Sequence, residues 1–292
     1  MNSRRNFLKE LGLVAAGLTV APHVNLFAAE KGWFKISLAE WSLHKMLFAG
    51  DLKNIDFPEY TAKTFDIHAV EYVNQFFKDK AKDMTYLKDL KNRAQDNGVE
   101  NVLIMIDGEG SLADADEKKR QEAVENHYQW IDAAHFLGCH AIRVNAAGEG
   151  SREEMGAQMV KSLSELADHG KSGNISVVVE NHGGLSSHGD WLADVIKRVD
   201  KDNCGTLPDF GNFYEYDRYQ GVTDLMPYAK GVSAKTNVFD EQGNEREIDY
   251  ARMMDIVKKA GYKGYVGIEY EGSELSEVEG VKVTKKLLER FL

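Results

Sequence analysis

Eight short apolar runs, each followed by a polar-faced helical segment, constrain this chain more than any other feature. The runs fall at 34–38, 69–72, 99–106, 141–145, 175–180, 205–209, 232–235 and 265–269. They do not alternate apolar with polar, which is the pattern of strands buried on both faces of a parallel sheet. Helical segments at 56–65, 84–97, 116–137, 151–171, 190–200, 222–228, 247–260 and 276–291 fill the intervals. The stretch 121–137 is the clearest, with Val124, Tyr128, Ile131, Ala134 and His135 at helical spacing. Asn97-Gly98, Leu137-Gly138, His169-Gly170 and Ala260-Gly261 close helices just before strands. Ser151-Arg152-Glu153-Glu154 opens another as a capping box. Eight such units in about 260 residues predict one closed (β/α)₈ barrel. A doubly wound open sheet is the alternative. It is disfavoured because Ser37-Leu38-Ala39-Glu40-Trp41-Ser42, not a Gly-rich phosphate loop, follows the first run.

The barrel body is assigned to residues 30–292, because 1–29 have the character of an export signal. Asn2-Ser3-Arg4-Arg5-Asn6-Phe7-Leu8-Lys9 is a twin-arginine sequence, and an apolar run over 11–21 follows it. That run is too short to span a bilayer stably, and Ala28-Ala29 supplies small residues near a cleavage point. The expected location is therefore the periplasm, with the membrane touched only through this signal. An amphipathic helix and an uncleaved anchor are the competing readings. The 292-residue chain carries a formal charge of −11, and Arg4, Arg5, Lys9 and Glu10 leave −13 on the body. So acidic a surface argues against nucleic acid as a partner. Cys139 and Cys204 begin strands that the topology does not make neighbours, so both are expected to be buried free thiols.

In a (β/α)₈ barrel the active site lies at the C-terminal ends of the strands. Those ends carry Trp41/His44, Glu71/Asn74, Asp107/Glu109, Arg143/Asn145, Glu180/His182, Asp209/Asn212, Lys235/Asn237 and Glu269/Glu271. Nearly every strand ends in a charged or amide residue. Glu180, Asp209 and Glu269 finish three buried runs, where an isolated carboxylate is costly unless paired or bound to metal. They are hard oxygen ligands suited to Mn²⁺, Mg²⁺, Co²⁺ or Zn²⁺. Salt bridges to barrel cations are the bland alternative.

The segments Glu180-Asn181-His182-Gly183-Gly184, Asp209-Phe210-Gly211-Asn212, Val232-Ser233-Ala234-Lys235-Thr236 and Gly267-Ile268-Glu269-Tyr270-Glu271 resemble the xylose isomerase-like barrel family. That family includes sugar isomerases, epimerases and endonuclease IV. The resemblance covers residues 34–292. It implies that one divalent metal is held by acids on strands five, six and eight and by a histidine on strand seven. Glu180, Asp209 and Glu269 match the acids. Ser233 stands where the histidine is expected, so a water, His182 or no ligand at all completes the set. The resemblance also implies Glu180 and Glu269 as the paired acid and base.

Three readings of function follow. The leading one is a divalent-metal-dependent sugar isomerase or epimerase working by proton transfer next to a carbonyl. The alternatives are a lyase or hydratase acting on 3-keto-glycosides and a non-catalytic sugar-binding barrel. Endonuclease activity ranks last, because no His-rich multi-zinc set is visible. Lys235 is assigned to a substrate hydroxyl or oxyanion, with a salt bridge to Glu269 or Asp209 as its structural role. Substrate contact is assigned to Trp41, by stacking on a sugar face, and to His44, Glu71, Arg143 and Asn145. Against this, Glu71 and Arg143 pair with each other across the mouth. The partner is a small carbohydrate, and homo-oligomerisation is left open.

Overall fold

The computed structural model describes residues 32–292, so the export signal assigned to 1–29 lies outside the described residues. Eight parallel strands form the barrel: β1 Lys35–Ala39, β2 Ala69–Val73, β3 Glu100–Met105, β4 Ala141–Asn145, β5 Ser176–Glu180, β6 Cys204–Leu207, β7 Val232–Thr236 and β8 Tyr265–Tyr270. Nine helices accompany them among the described residues: α1 His44–Ala49, α2 Phe57–Phe65, α3 Met84–Asp96, α4 Glu117–Leu137, α5 Arg152–Lys171, α6 Gly189–Val199, α7 Arg218–Leu225, α8 Tyr250–Lys259 and α9 Glu277–Glu289. Each strand pairs with its sequence neighbour except β6 with β7, and β1 pairs with β8. The predicted single (β/α)₈ barrel is what forms. None of these helices is long and apolar enough to cross a membrane.

The seam between β6 and β7 is the weakest part of the ring, and Pro208 explains it. Proline has no N–H to give to a ladder, so β6 stops at Leu207 rather than at the expected 209. Two parallel bridges, Thr206 to Ala229 and Asp209 to Ser233, carry the closure instead. The Ser233 N–H donates to the Pro208 carbonyl at 2.9 Å, and the Phe210 N–H donates to Ser233 at 3.1 Å. Asp209 therefore sits on the closing bridge, beyond the end of its strand.

The strands sort side chains onto two faces. Outward residues pack under the helices in one large core that includes Leu38, Tyr72, Ile104, Val179 and Ile268. A smaller inner cluster, with Ala39, Val73, Leu103, Met105, Ala141, Val178 and Leu207, plugs the barrel. The acids stand on this inner face.

Two helices depart from expectation. α7 begins at Arg218, because Asp217 caps it by accepting from Gln220 N–H, and Pro227 turns 226–228 into a separate tight turn. α1 has six residues, too few for a periodic pattern. It is held by Glu277 from the far end of the chain, whose carboxylate accepts from the N–H groups of Lys45 (2.7 Å) and Met46 (3.1 Å). The Ser151 capping box forms as expected, and Cys139 and Cys204 are buried free thiols.

Candidate metal and proton-transfer site

Glu180, Asp209 and Glu269 converge, each offering an oxygen within 4.8 Å of the others, and all three are buried. This is the one group of its kind among the described residues. The chain folds them together because β5, β6 and β8 deliver their inward positions at the same end of the barrel.

Each acid is held differently. Asp209 Oδ1 accepts from the N–H groups of Gly211 and Asn212, both at 2.8 Å, so the Asp-Phe-Gly-Asn turn locks one oxygen. Its Oδ2 accepts from Ser233 Oγ at 2.7 Å. Glu269 Oε2 lies 2.8 Å from the same hydroxyl. Glu180 Oε1 accepts from Asn212 Nδ2 at 3.3 Å. Glu180 Oε2 is 2.9 Å from Arg143 Nε, but the alignment is too poor for a hydrogen bond.

Two cations serve the cluster. Lys235 Nζ is 3.2 Å from Glu271, 3.5 Å from Glu269 and 3.9 Å from Asp209. Arg143 divides itself between Glu180 and Asp107, the latter at 2.8 Å. They do not offset the acids. Burial pushes Glu180 well above its usual range, against the pull of Arg143. Burial likewise raises Asp209 to about 6, against Lys235. Glu269 is also penalised by burial, but Lys235 and Ser233 outweigh that and hold it below its ordinary value. An excess of buried carboxylate, with one Glu180 oxygen lacking a hydrogen-bond donor, fits a divalent cation chemically.

Ser233 occupies the gap that the sequence left open. One hydroxyl proton serves two carboxylate oxygens, so Ser233 ties Asp209 to Glu269. His182 does not complete the set. β5 ends at Glu180, and the next peptides turn so that the His182 and Gly183 N–H groups bind the hydroxyls of Ser186 and Ser187. That turn breaks the strand periodicity and leaves His182 exposed, outside the triad.

The other expected residues fall into three places. Arg143 and Asn145 join Asp107 in a buried network, with Asn145 Nδ2 donating to Asp107 Oδ1 at 2.7 Å. Arg143 is thus committed to protein acids rather than open to substrate. Glu71 lies inside the barrel, not on the mouth. Ser37 Oγ donates to its Oε1 at 2.5 Å, and its Oε2 has no hydrogen-bond partner. A Cβ on Gly267 would stand 2.5 Å from that carboxyl, so glycine is what admits it. The direct Glu71–Arg143 bond is absent, and Glu71 faces Ser37 and Gly267 inside the barrel.

Trp41 and His44 stack at 4.9 Å on a wall completed by Phe76 and Phe48. Trp41 and Phe76 pack against the inner cluster.

Several residues carry roles that spacing along the chain did not assign. Asn74 and Asn181 each clamp the backbone of the next strand's aspartate, and Asn212 links Glu180 to Lys235. Asparagine close behind a strand-ending acid was the available sign. Glu40 is buried on the outer side, accepting from Asn54 and from the Val73 N–H. Burial raises it to about 8.

Residues 60–291 match the model of the family described as xylose isomerase-like TIM barrel. The C-glycoside deglycosidase alpha subunit of Arthrobacter globiformis is 38% identical over 66 residues, which is 22% of this chain and 19% of that protein. The 2-oxo-tetronate isomerase of Haemophilus influenzae is 28% identical over 155 residues, 48% of this chain and 59% of that one. The matched region thus spans less than two thirds of either curated relative. Among solved structures, the IOLI protein with a zinc atom superposes at a TM-score of 0.70. It has 16% identity and covers 88% of this chain and 98% of the other.

Proposed function

The chain belongs to the xylose isomerase-like TIM-barrel family, and we propose that it is a divalent-metal-dependent sugar isomerase or epimerase. The observation that carries this reading is the buried convergence of Glu180, Asp209 and Glu269, where the surroundings of the two glutamates pull their proton affinities in opposite directions. Environments that separate paired carboxyls in this way assign acid and base roles. Glu269, held ionised, removes the proton next to a substrate carbonyl. Glu180, whose burial raises its affinity for a proton, would relay one to the neighbouring carbon or oxygen. Lys235 places an ammonium beside the oxygen that gains charge, and Arg143 fixes the Glu180 carboxyl. Glu180, Asp209 and Glu269 would hold the cation, with Ser233 spacing two of them. A divalent ion held there would supply Lewis-acid stabilisation of charge developing on the substrate oxygens. The isomerase among the curated relatives and the zinc in the solved neighbour support the assignment.

The test has two arms. Elemental analysis of the purified protein is expected to find about one divalent ion per chain, lost in Asp209→Asn. Keto-sugars incubated in D₂O are expected to gain deuterium at the carbon next to the carbonyl. A protein that retains no ion after metal supplementation, or that exchanges no proton with any keto-sugar, defeats this reading.

The match to the C-glycoside deglycosidase subunit favours a second reading, β-elimination from a keto-glycoside. It uses the same proton abstraction and is distinguished by release of the aglycone. We further propose periplasmic placement through the twin-arginine segment at 1–29. Cell fractionation after replacing Arg4 and Arg5 by lysine checks it, and unchanged periplasmic recovery would refute it.

A further inference from the structure

A cavity of about 290 Å³ opens beyond the ends of β3 and β4, lined by Gly108, Glu109, Ser111, His127, Asn145 and Ala147 among others. It adjoins the triad through Asn145. That residue is the register partner of Glu180 and bonds both Asp107 and Arg143.

Its two titratable side chains, His127 and Glu109, both present acceptors. His127 is buried on α4, and its Nδ1 lies 2.6 Å from the Ala123 carbonyl. A carbonyl only accepts, so Nδ1 carries the hydrogen. Burial disfavours the charged ring, which leaves Nε2 as a lone-pair acceptor with no protein donor. Glu109 is pinned by Trp130 Nε1, which donates to its Oε1 at 3.0 Å. No lysine or arginine lines the cavity. A phosphate or carboxylate would meet Glu109 with nothing to neutralise it. Hydroxyl groups, which donate, meet acceptors already in place. The volume sits at the lower edge of ligand sites, roughly 300–1,000 Å³, so it suits one ring rather than two.

From this we infer that the cavity is a subsite for the neutral, hydroxyl-rich ring of a glycoside, and that the substrate spans it and the triad. The inference rests on the sugar-enzyme reading above and narrows it: the substrate class is a glycoside, not a sugar phosphate.

The test measures binding, not turnover, so it needs neither activity nor metal. Methyl β-D-glucopyranoside is titrated into the full-length chain carrying Asp209→Asn, by saturation-transfer NMR and calorimetry. Glucose 6-phosphate serves as the charged comparison. Ala147 is exposed, so Ala147→Phe fills the cavity without disturbing the core, and a thermal melt verifies its fold. The glycoside is expected to bind, and to weaken at least about tenfold in Ala147→Phe. His127→Gln is expected to weaken it as well. Glucose 6-phosphate is expected to bind at least about tenfold more weakly than the glycoside. No glycoside binding, equal binding to Ala147→Phe, or equal binding of the phosphate ester each overturns the inference. Cavity binding without any deuterium exchange would leave this subsite standing and sink the isomerase reading. Exchange without cavity binding would do the reverse.

Discussion

Asp107 and Asp209 stand beyond the ends of β3 and β6, and each is clamped by an asparagine from the preceding strand end. Asn74 donates to the Asp107 carbonyl at 3.0 Å and accepts its N–H at 2.9 Å. Asn181 does the same to Asp209 at 3.0 and 2.8 Å. The backbone device is identical, yet the carboxyls differ. Burial penalises both. At Asp107 the Arg143 guanidinium and Asn145 more than offset it, and the group titrates below its ordinary value. At Asp209 the nearest cation is 3.9 Å away and Glu269 repels, so the group rises to about 6. The clamp sets position, and the neighbouring charge sets role. One aspartate is satisfied by the protein, while the other is left short of positive charge.

The largest break in this comparison comes from removing the cation that the under-compensated side does have. Lys235→Met strands Asp209, Glu269 and Glu271, and leaving a buried charge unpaired costs about 3–5 kcal/mol. Urea unfolding of the metal-free protein should show that loss, and a change below about 1 kcal/mol would mean that the acids do not depend on Lys235 for their charge balance. Next in size is the response to added Mn²⁺ or Zn²⁺. At a hundredfold excess over Kd a bound ion stabilises by about 2.7 kcal/mol. Asp209→Asn should abolish that rise in melting temperature, whereas Asp107→Asn should keep it. Equal loss in both would erase the distinction. Asp107→Asn has its own smaller cost of about 2 kcal/mol, because charge-assisted bonds to Arg143 and Asn145 are weakened. Chemical denaturation would read it, and a stability equal to the parent's would remove Asp107 from the network.

The readable parts of this site share a physical origin. The Val177-Val178-Val179 run declared β5 as a buried strand, and a glutamate straight after it had to be paired or liganded. The same logic located Asp209 and Glu269, and so the triad. What failed depended on where periodicity stops. His182 shares the face of Glu180 only if the strand persists, and the Ser186 and Ser187 hydroxyls capture the chain there instead. Pro208 shortened β6 by the same kind of local veto. The asparagine clamps showed only as amides behind strand-ending acids, and the Ser233 bridge did not show at all, because each needs the register between strands, which spacing along one strand does not carry. α1 was invisible because Glu277, over 200 residues away, supplies its cap.

Glu71 gives the smallest and sharpest test, because it lies on the Asp107 side of the barrel yet behaves like Asp209. Burial raises it to about 7, with Ser37 and Arg143 only partly opposing. No guanidinium bonds it directly, so the guanidinium contact, not the side of the barrel, decides the charge state. A carboxyl raised in the folded state binds more protons there than when unfolded. Its contribution is therefore complete below the ordinary value near 4.5 and is lost as pH rises through about 7. Between pH 5.5 and 7 the parent should lose about 1–2 kcal/mol that Glu71→Gln does not. Gln keeps an oxygen for the Ser37 hydroxyl and cannot ionise, so the difference in slope isolates this group. Parallel stability–pH curves for parent and variant would show that Glu71 is ionised in the fold, and the contrast between the two aspartates would then need a cause other than the guanidinium.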